Sequence, residues 1–274
     1  MVDRIGAVQI DTLQMVHRSQ YLVLWSRLGC YAPADFDLLL SSDSDRRLFE
    51  YWLHEACLIP LSEYRFRLPT MRRYREGTLG WYRDWLEKPE HVELVESVRE
   101  RVLSSGAVRA SDFDGDGQKR GSWWDWKPAK RALEHLYDWG DLMISGRVNF
   151  QRVYDMRERV LPDWVDTAEP TYEEASRHLL ERSLRALGVC GVAQVADYTH
   201  MKRNEARPLL ESLVADGTFA TIHARLIDGE DRPLVVHRDN LAALEEAADG
   251  GLTPSRTTFL SPFDSLFWAR GRDE

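Results

Sequence analysis

Apolar residues recur at helical spacing in two well-separated stretches. Over His91–Leu103 they fall at Val92, Val95, Val98 and Val102. Over Tyr172–Leu187 they fall at Leu179, Leu184 and Leu187, with His178 alongside, so each stretch predicts an amphipathic helix. Later segments end at Gly140 and Gly217, where glycine accepts the left-handed turn that stops a helix. Extended runs follow both glycines, Leu142–Ile144 with Val148–Val153 and Phe219–Leu226 with Pro233–His237, and each pair predicts a hairpin.

The two sets of elements are copies of one unit. AKRALEHLYDWGDLMI from Ala129 matches ARPLLESLVADGTFAT from Ala206, pairing Leu133, Glu134, Leu136 and Gly140 with Leu210, Glu211, Leu213 and Gly217 at an offset of 77. Upstream, GAVRASDF from Gly106 matches GVAQVADY from Gly191 at an offset of 85, pairing Asp112 with Asp197 and Phe113 with Tyr198. The extra residues of the first copy fall in the polar, glycine-rich stretch Gly115–Ser122, which predicts a longer loop between its helices. Three helices followed by a β-hairpin make a winged helix, whose third helix and hairpin wing are the parts that meet DNA. The predicted fold class is therefore α+β, mostly helical, with tandem winged-helix domains.

The third helices carry Lys127, Lys130 and Arg131 in one copy and Lys202, Arg203 and Arg207 in the other, in position for phosphate contact. Solvated residues on a protein-binding module are the alternative. Arginines also cluster at Arg65, Arg67, Arg72, Arg73 and Arg75, and at Arg152, Arg157 and Arg159; an exposed, solvated face is the commoner meaning of such runs. The net charge of −9 over 274 residues argues against a protein that simply coats DNA. Screening over roughly 8 Å still lets a basic groove act while acidic residues lie on another side.

A chain of this length buries roughly three quarters of its unfolded surface, enough for a substantial core. No stretch approaches the roughly 20 apolar residues of a membrane helix, and nothing at the N-terminus reads as a secretion signal, so cytoplasmic residence is expected. Cys30, Cys57 and Cys190 are far apart with apolar neighbours, as reduced core thiols are. A monomer is expected, because no heptad seam runs along the chain.

Several motifs fail. Asp112, Asp114, Asp116 and Gly117 open like a calcium loop, but the closing position is Trp123 instead of glutamate. His54-Glu55 begins like a zincin motif, yet Leu58 stands where the second histidine belongs. The paired cysteines of a zinc deaminase, a phosphate loop and a GxSxG elbow are all missing from the sequence, so no metal or organic cofactor is expected.

Five further blocks remain around the triplet Gln9-Ile10-Asp11: LWSRLG from Leu24, FEYWLHEA from Phe49, WWDWKPAKRALEHL from Trp123, GRVNFQRVYDM from Gly146 and FLSPFDSLFW from Phe259. Together they resemble the winged-helix DNA glycosylase family of YcaQ/AlkX and AlkZ, in which a Gln-hydrophobic-Asp or Gln-hydrophobic-Gln triplet marks the active site. The resemblance implies a monofunctional DNA glycosylase that hydrolyses the N-glycosidic bond of alkylated purines of the N7-alkylguanine type and unhooks interstrand crosslinks. The implied partner is double-stranded DNA carrying alkylated or crosslinked bases. It also implies a partial first winged helix over 1–88 holding the triplet, winged helices over 89–165 and 166–240, and a segment 241–274 leading to a β-rich domain. Family members have further helices before the triplet, so both ends of the chain look clipped.

The chemistry suits the triplet. Cleavage passes through an oxocarbenium-like sugar, and the Asp11 carboxylate would offset that charge and activate water. An N7-alkylated purine is already cationic and leaves without a protonated acid, so the neutral amide of Gln9 suffices to position water or lesion. Ile10, alternating with them, would pack inside. Read without the resemblance, the residues favour the structural role: Asp11 and Thr12 cap the following helix, and Gln9 is a partner for backbone groups. His54 and Glu55 fall in a predicted strand that points them to opposite faces, one lining the groove. Arg18 and Ser19 are further candidate phosphate contacts. Trp81, Tyr82 and Trp85 have the spacing of core residues. The competing function is a non-catalytic winged-helix transcription regulator.

Overall fold

The computed structural model describes residues 1–77, 84–113, 127–226, 229–254 and 256–269. Trp81, Tyr82, Asp114, Asp116, Gly117 and Trp123 lie outside these residues, as does the loop expected at Gly115–Ser122.

One arrangement recurs three times. The first set has helix α1 (Val2–Ile5), strand β1 (Val8–Gln9), helices α2 (Ser19–Leu28) and α3 (Pro33–Ser41), and strands β2 (Leu48–Trp52) and β3 (Ala56–Pro60). A 3-10 turn (Leu61–Arg67) and α4 (Leu68–Arg75) follow. The second set has α5 (Pro89–Ser105), β4 (Val108–Arg109), a 3-10 turn (Ala110–Phe113), α6 (Lys127–Asp138), β5 (Leu142–Val148) and β6 (Gln151–Met156), followed by α7 (Arg157–Val160). The third has α8 (Tyr172–Leu187), β7 (Val189–Cys190), α9 (Val192–Asp197), α10 (Arg203–Ala215), β8 (Phe219–Arg225) and β9 (Asp231–His237), and α11 (Leu241–Ala248) comes after it. In every set the short first strand pairs antiparallel with the last strand, giving the sheet orders β1-β3-β2, β4-β6-β5 and β7-β9-β8.

The paired repeat residues occupy matching places. Leu133, Leu136, Leu210 and Leu213 are all buried, and Gly140 and Gly217 have φ of 79° and 75°, ending α6 and α10 as left-handed stops. Helix α8 begins with a capping box in which Thr171 Oγ1 accepts from Glu174 N while Glu174 Oε2 accepts from Thr171 N. Helix α5 buries Val95, Val98 and Val102 but leaves Val92 exposed, so its apolar face begins one turn later than the spacing predicted. The run Val148–Val153 is not one strand. It is broken at Asn149 and Phe150, both at positive φ (49° and 67°), because a two-residue turn of this hand matches the twist of the strands it joins.

By contacts the chain forms two compact units, one of Met1–Pro33, Tyr51–Pro60 and Thr171–Glu274, the other of Ala34–Glu50 and Leu61–Pro170. The first has a core that includes Val8, Val23, Ile59, Leu180, Leu184, Val195, Leu213 and Val235. The second is built around Leu48, Phe49, Tyr64, Val102, Leu133, Leu142 and Ile144. Within the second unit Glu50, with no side-chain exposure, takes a bidentate pair from Arg147 at 2.8 and 2.9 Å and a further bond from Arg152. Arg147 also lies over the Phe150 ring at 4.4 Å and donates to its carbonyl, which holds that bulky residue in its left-handed conformation.

Cys57 and Cys190 are buried free thiols as expected, whereas Cys30 is exposed, because it follows the end of α2 at Gly29 and belongs to no packed face. No described helix is long and apolar enough to cross a membrane.

Candidate active site

The candidate residues of the triplet and its surroundings fall in the first unit. Strand β1 pairs with β3 in the register Val8 with Leu58 and Gln9 with Cys57, and Ile10 N donates to Ala56 O at 2.8 Å. Continuing that antiparallel register brings the chain at Asp11 alongside the β2–β3 turn, which holds His54 and Glu55. These two residues are therefore in a turn and not in a strand, as alternation had suggested: Leu53 N donates to Glu55 O at 3.0 Å and closes it. The polar pair sits where the chain must reverse, and only the apolar residues on either side extend. Glu55 is exposed and His54 half-buried.

Both Gln9 and Ile10 are 7% exposed, so the expected division into one open and one packed side chain does not hold. Short strand β1 is covered on both faces. The Gln9 carbonyl accepts from Ser19 Oγ at 3.2 Å, which ties the strand end to the first residue of α2. Ser19 is buried, and its hydroxyl is thus a structural link; phosphate contact from this atom does not fit its burial.

Asp11 is half-exposed. Its Oδ1 accepts from Leu13 N at 2.7 Å, a local turn that orients the carboxylate, and among the described residues Oδ2 has no protein partner. It does not cap α2, which starts eight residues later with Arg18 at its N-cap. Arg18 N donates to His17 Nδ1 at 3.0 Å.

His54, half-buried, is held on several sides. Its Nδ1 is 3.2 Å from Asp197 O, and since a carbonyl only accepts, that nitrogen carries the proton. Trp268 stacks on one side of the ring (4.9 Å, 6° between planes) and His200 lies 3.8 Å away. Tyr198 in turn leans on Trp268 and donates its hydroxyl to Ile5 O; burial pushes that phenol well above its usual range. His200 and Trp268 went unremarked as individual residues, and no local spacing could have revealed them. They come from turns far apart in the chain.

A second long-range link lies in the same unit. Arg27 of α2 donates to both oxygens of Asp264, at 2.6 and 2.8 Å, and Asp264 is fully buried. The blocks LWSRLG and FLSPFDSLFW thus meet in one ion pair, and α2 is clamped with its first residue beside Gln9. Lys202 and Arg203, at the start of α10 in the same unit, are exposed, and Arg203 pairs with Asp197 at 3.3 Å. Lys130 and Arg131 belong to the other unit: Lys130 pairs with Glu134 at 3.7 Å, and Arg131 lies over the Trp85 ring at 5.5 Å. Lys127 opens α6, and its side chain lies outside the described residues. No cluster of three or more metal-ligating side chains occurs among the described residues.

Comparison with known families matches residues 2–274 to the family described as DNA glycosylase AlkZ-like. The chain belongs to the AlkZ-like DNA glycosylase family. As a DNA glycosylase it acts on N-glycosyl bonds of damaged DNA. Its structure is similar to that of Streptomyces sahachiroi DNA glycosylase AlkZ, with a TM-score of 0.64 at 15% identity over 98% of this chain and 70% of that one. Identity this low speaks for a shared α+β fold alone.

Proposed function

We propose that this glycosylase is monofunctional and hydrolyses the bond between deoxyribose and an N7-alkylated purine, acting also on interstrand crosslinks joined through the same nitrogen. The observation that carries the reading is the Asp11 carboxylate: one oxygen is fixed by a backbone donor, and the other has no protein partner among the described residues. A water oriented by that oxygen attacks C1′, and its proton passes to the carboxylate. The electron pair of the broken C1′–N9 bond leaves with the base and cancels the positive charge that alkylation placed there. The carboxylate meanwhile offsets the charge growing on the sugar. Gln9, nearly covered, positions the end of β1 and offers at most a neutral amide edge to lesion or water. The three recurring helix-strand-hairpin sets support a reading as winged helices with bounds near 1–88, 89–165 and 166–240. Arg18, Lys202 and Arg203 serve phosphates in this reading, and His54 lines the lesion site.

The deciding assay incubates the protein with duplexes carrying N7-methylguanine or a nitrogen-mustard crosslink and follows base release. Asp11→Asn is expected to lower release by about 10²–10⁴-fold, the range for loss of a positioned base. The product is expected to be an abasic site in an unbroken strand. Binding without release, unchanged by Asp11→Asn, would instead identify a non-catalytic DNA-binding regulator.

A further inference from the structure

The loop between the triplet and α2 exposes apolar side chains that the fold leaves uncovered. Leu13, Met15 and Val16 are 60%, 93% and 85% exposed, and Gln14 and His17 beside them are also exposed. Scattered apolar residues on a surface need no explanation, but a contiguous apolar tip does. This tip is held at both ends. Asp11 Oδ1 takes Leu13 N at one end. At the other, His17 Nδ1 takes Arg18 N, and the His17 ring packs edge-on against Tyr21 at 4.8 Å. The Ser19–Gln9 bond pins the two stems together. The loop is therefore a presented apex, fixed at its base and bare at its crown.

We propose that Met15 and Val16 form a wedge that enters the base stack of duplex DNA beside the lesion. The family acts on DNA, so the apolar material available to cover this apex is the base stack. Minor-groove and base-extruding proteins insert side chains of this kind between base steps, and doing so offsets the few kcal/mol lost on unstacking. Met15 is four residues from Asp11, hence at most about 14 Å away. That reach is roughly four base steps of about 3.4 Å each, so a wedge here acts within about four steps of the nucleotide whose bond is hydrolysed beside Asp11. Arg18 at the foot of the loop supplies a cation for the flanking phosphate. The wedge rests on the reading of Asp11 as the reacting carboxylate, and the test separates the two.

The protein is mixed with a duplex holding one N7-methylguanine and a neighbouring 2-aminopurine, whose fluorescence rises on unstacking. The wild-type protein and Asp11→Asn are both expected to raise the fluorescence, although only the former releases base. Met15→Ala/Val16→Ala is expected to abolish the rise and to cut base release from the paired duplex about tenfold, equivalent to about 1.4 kcal/mol. On the same lesion in single-stranded DNA, where no stack must open, its release is expected to equal wild type. Met15→Leu, which keeps the apolar bulk, is expected to retain both signals. Because these side chains are exposed, the variants are expected to keep wild-type circular dichroism. Unchanged fluorescence in the double variant overturns the wedge and leaves the glycosylase reading standing, as does an equal loss on single and double strands. Concentration-dependent sedimentation that the double variant abolishes, with fluorescence unchanged, would assign the tip to a second copy of the chain and also overturn the proposal. A wild-type protein that unstacks DNA and releases no base would sink the catalytic reading alone.

Discussion

Removal of the Asp264 carboxylate should be among the most damaging single changes in the first unit. Asp264 is fully buried and accepts both bonds from Arg27, whose side chain is only 16% exposed; it also accepts from Leu266 N at 3.1 Å, which starts the short turn leading to Trp268. Asp264→Ala leaves a largely buried guanidinium without its counter-charge, and breaking such a pair from one side costs about 3–5 kcal/mol. That is a large part of the roughly 5–15 kcal/mol that holds a domain together. Both partners lie in the unit containing Thr171–Glu274, so in urea unfolding followed by tryptophan fluorescence the transition of that unit should move, and the other should stay. Arg27→Met/Asp264→Leu should recover most of the loss, because an apolar pair removes the desolvation cost along with the attraction. Base release should fall with Asp264→Ala even well below the unfolding midpoint, since α2 carries Ser19 to the Gln9 carbonyl. A loss below about 1 kcal/mol for Asp264→Ala, or a double variant as unstable as the sum of the singles, would refute the assignment of this pair as the clamp.

In the second unit, Glu50→Gln should lower urea stability by roughly 3–5 kcal/mol, because Arg147 and Arg152 keep their charges beneath a neutral partner. His135, 1% exposed and close to Arg131 and His91, has its pKa lowered from 6.5 to about 4, chiefly by burial. The folded state therefore resists the proton that the unfolded chain accepts, so its contribution is complete above pH 6.5 and drains away as the pH falls toward 4. The loss totals on the order of 3 kcal/mol, and His135→Phe should flatten this limb in unfolding curves taken across that range. Lys202→Ala and Arg203→Ala should each reduce the salt slope of DNA binding by about one, measured by fluorescence anisotropy across a salt series.

The repeat made much of the fold legible. Leu133 with Leu210 and Gly140 with Gly217 are tied to local requirements, a buried helical face and a left-handed stop, and such requirements leave a mark at fixed spacing. The same holds for the first sheet only in part: β1 has two residues and α1 four, too short for any period to register. His54 was legible as polar chemistry in an odd place, but not its setting. Its partners Asp197, His200 and Trp268 lie more than a hundred residues away, and their approach is decided by tertiary packing that no window along the chain can sample. The Arg27–Asp264 pair is hidden for the same reason. The type of turn at Asn149–Phe150 leaves no mark in the sequence because Phe is rare at positive φ, and Arg147 over its ring is no turn signal.

Arginine density is a poor guide to where this acidic chain meets DNA, and the ion pairs show why. Arg65, Arg72 and Arg75, conspicuous in sequence, pair with Asp166, Glu169 and Asp141, and Arg152 is committed to buried Glu50. These pairs are not equivalent. An exposed pair is worth about 0–1 kcal/mol, so its arginine can exchange a carboxylate for a phosphate at little cost. Arg203 is 65% exposed and 3.3 Å from Asp197, whose side chain keeps 18% exposure, so this pair stands between the open pairs and the Arg152–Glu50 pair. Arg152 cannot make the exchange, because moving it would strand Glu50 in the core. Burial of the acidic partner, and not the number of arginines, therefore decides which cations are available to a nucleic acid. By that criterion the start of α10, in the same unit as Asp11, is better placed to receive a phosphate than the hairpin β5–β6.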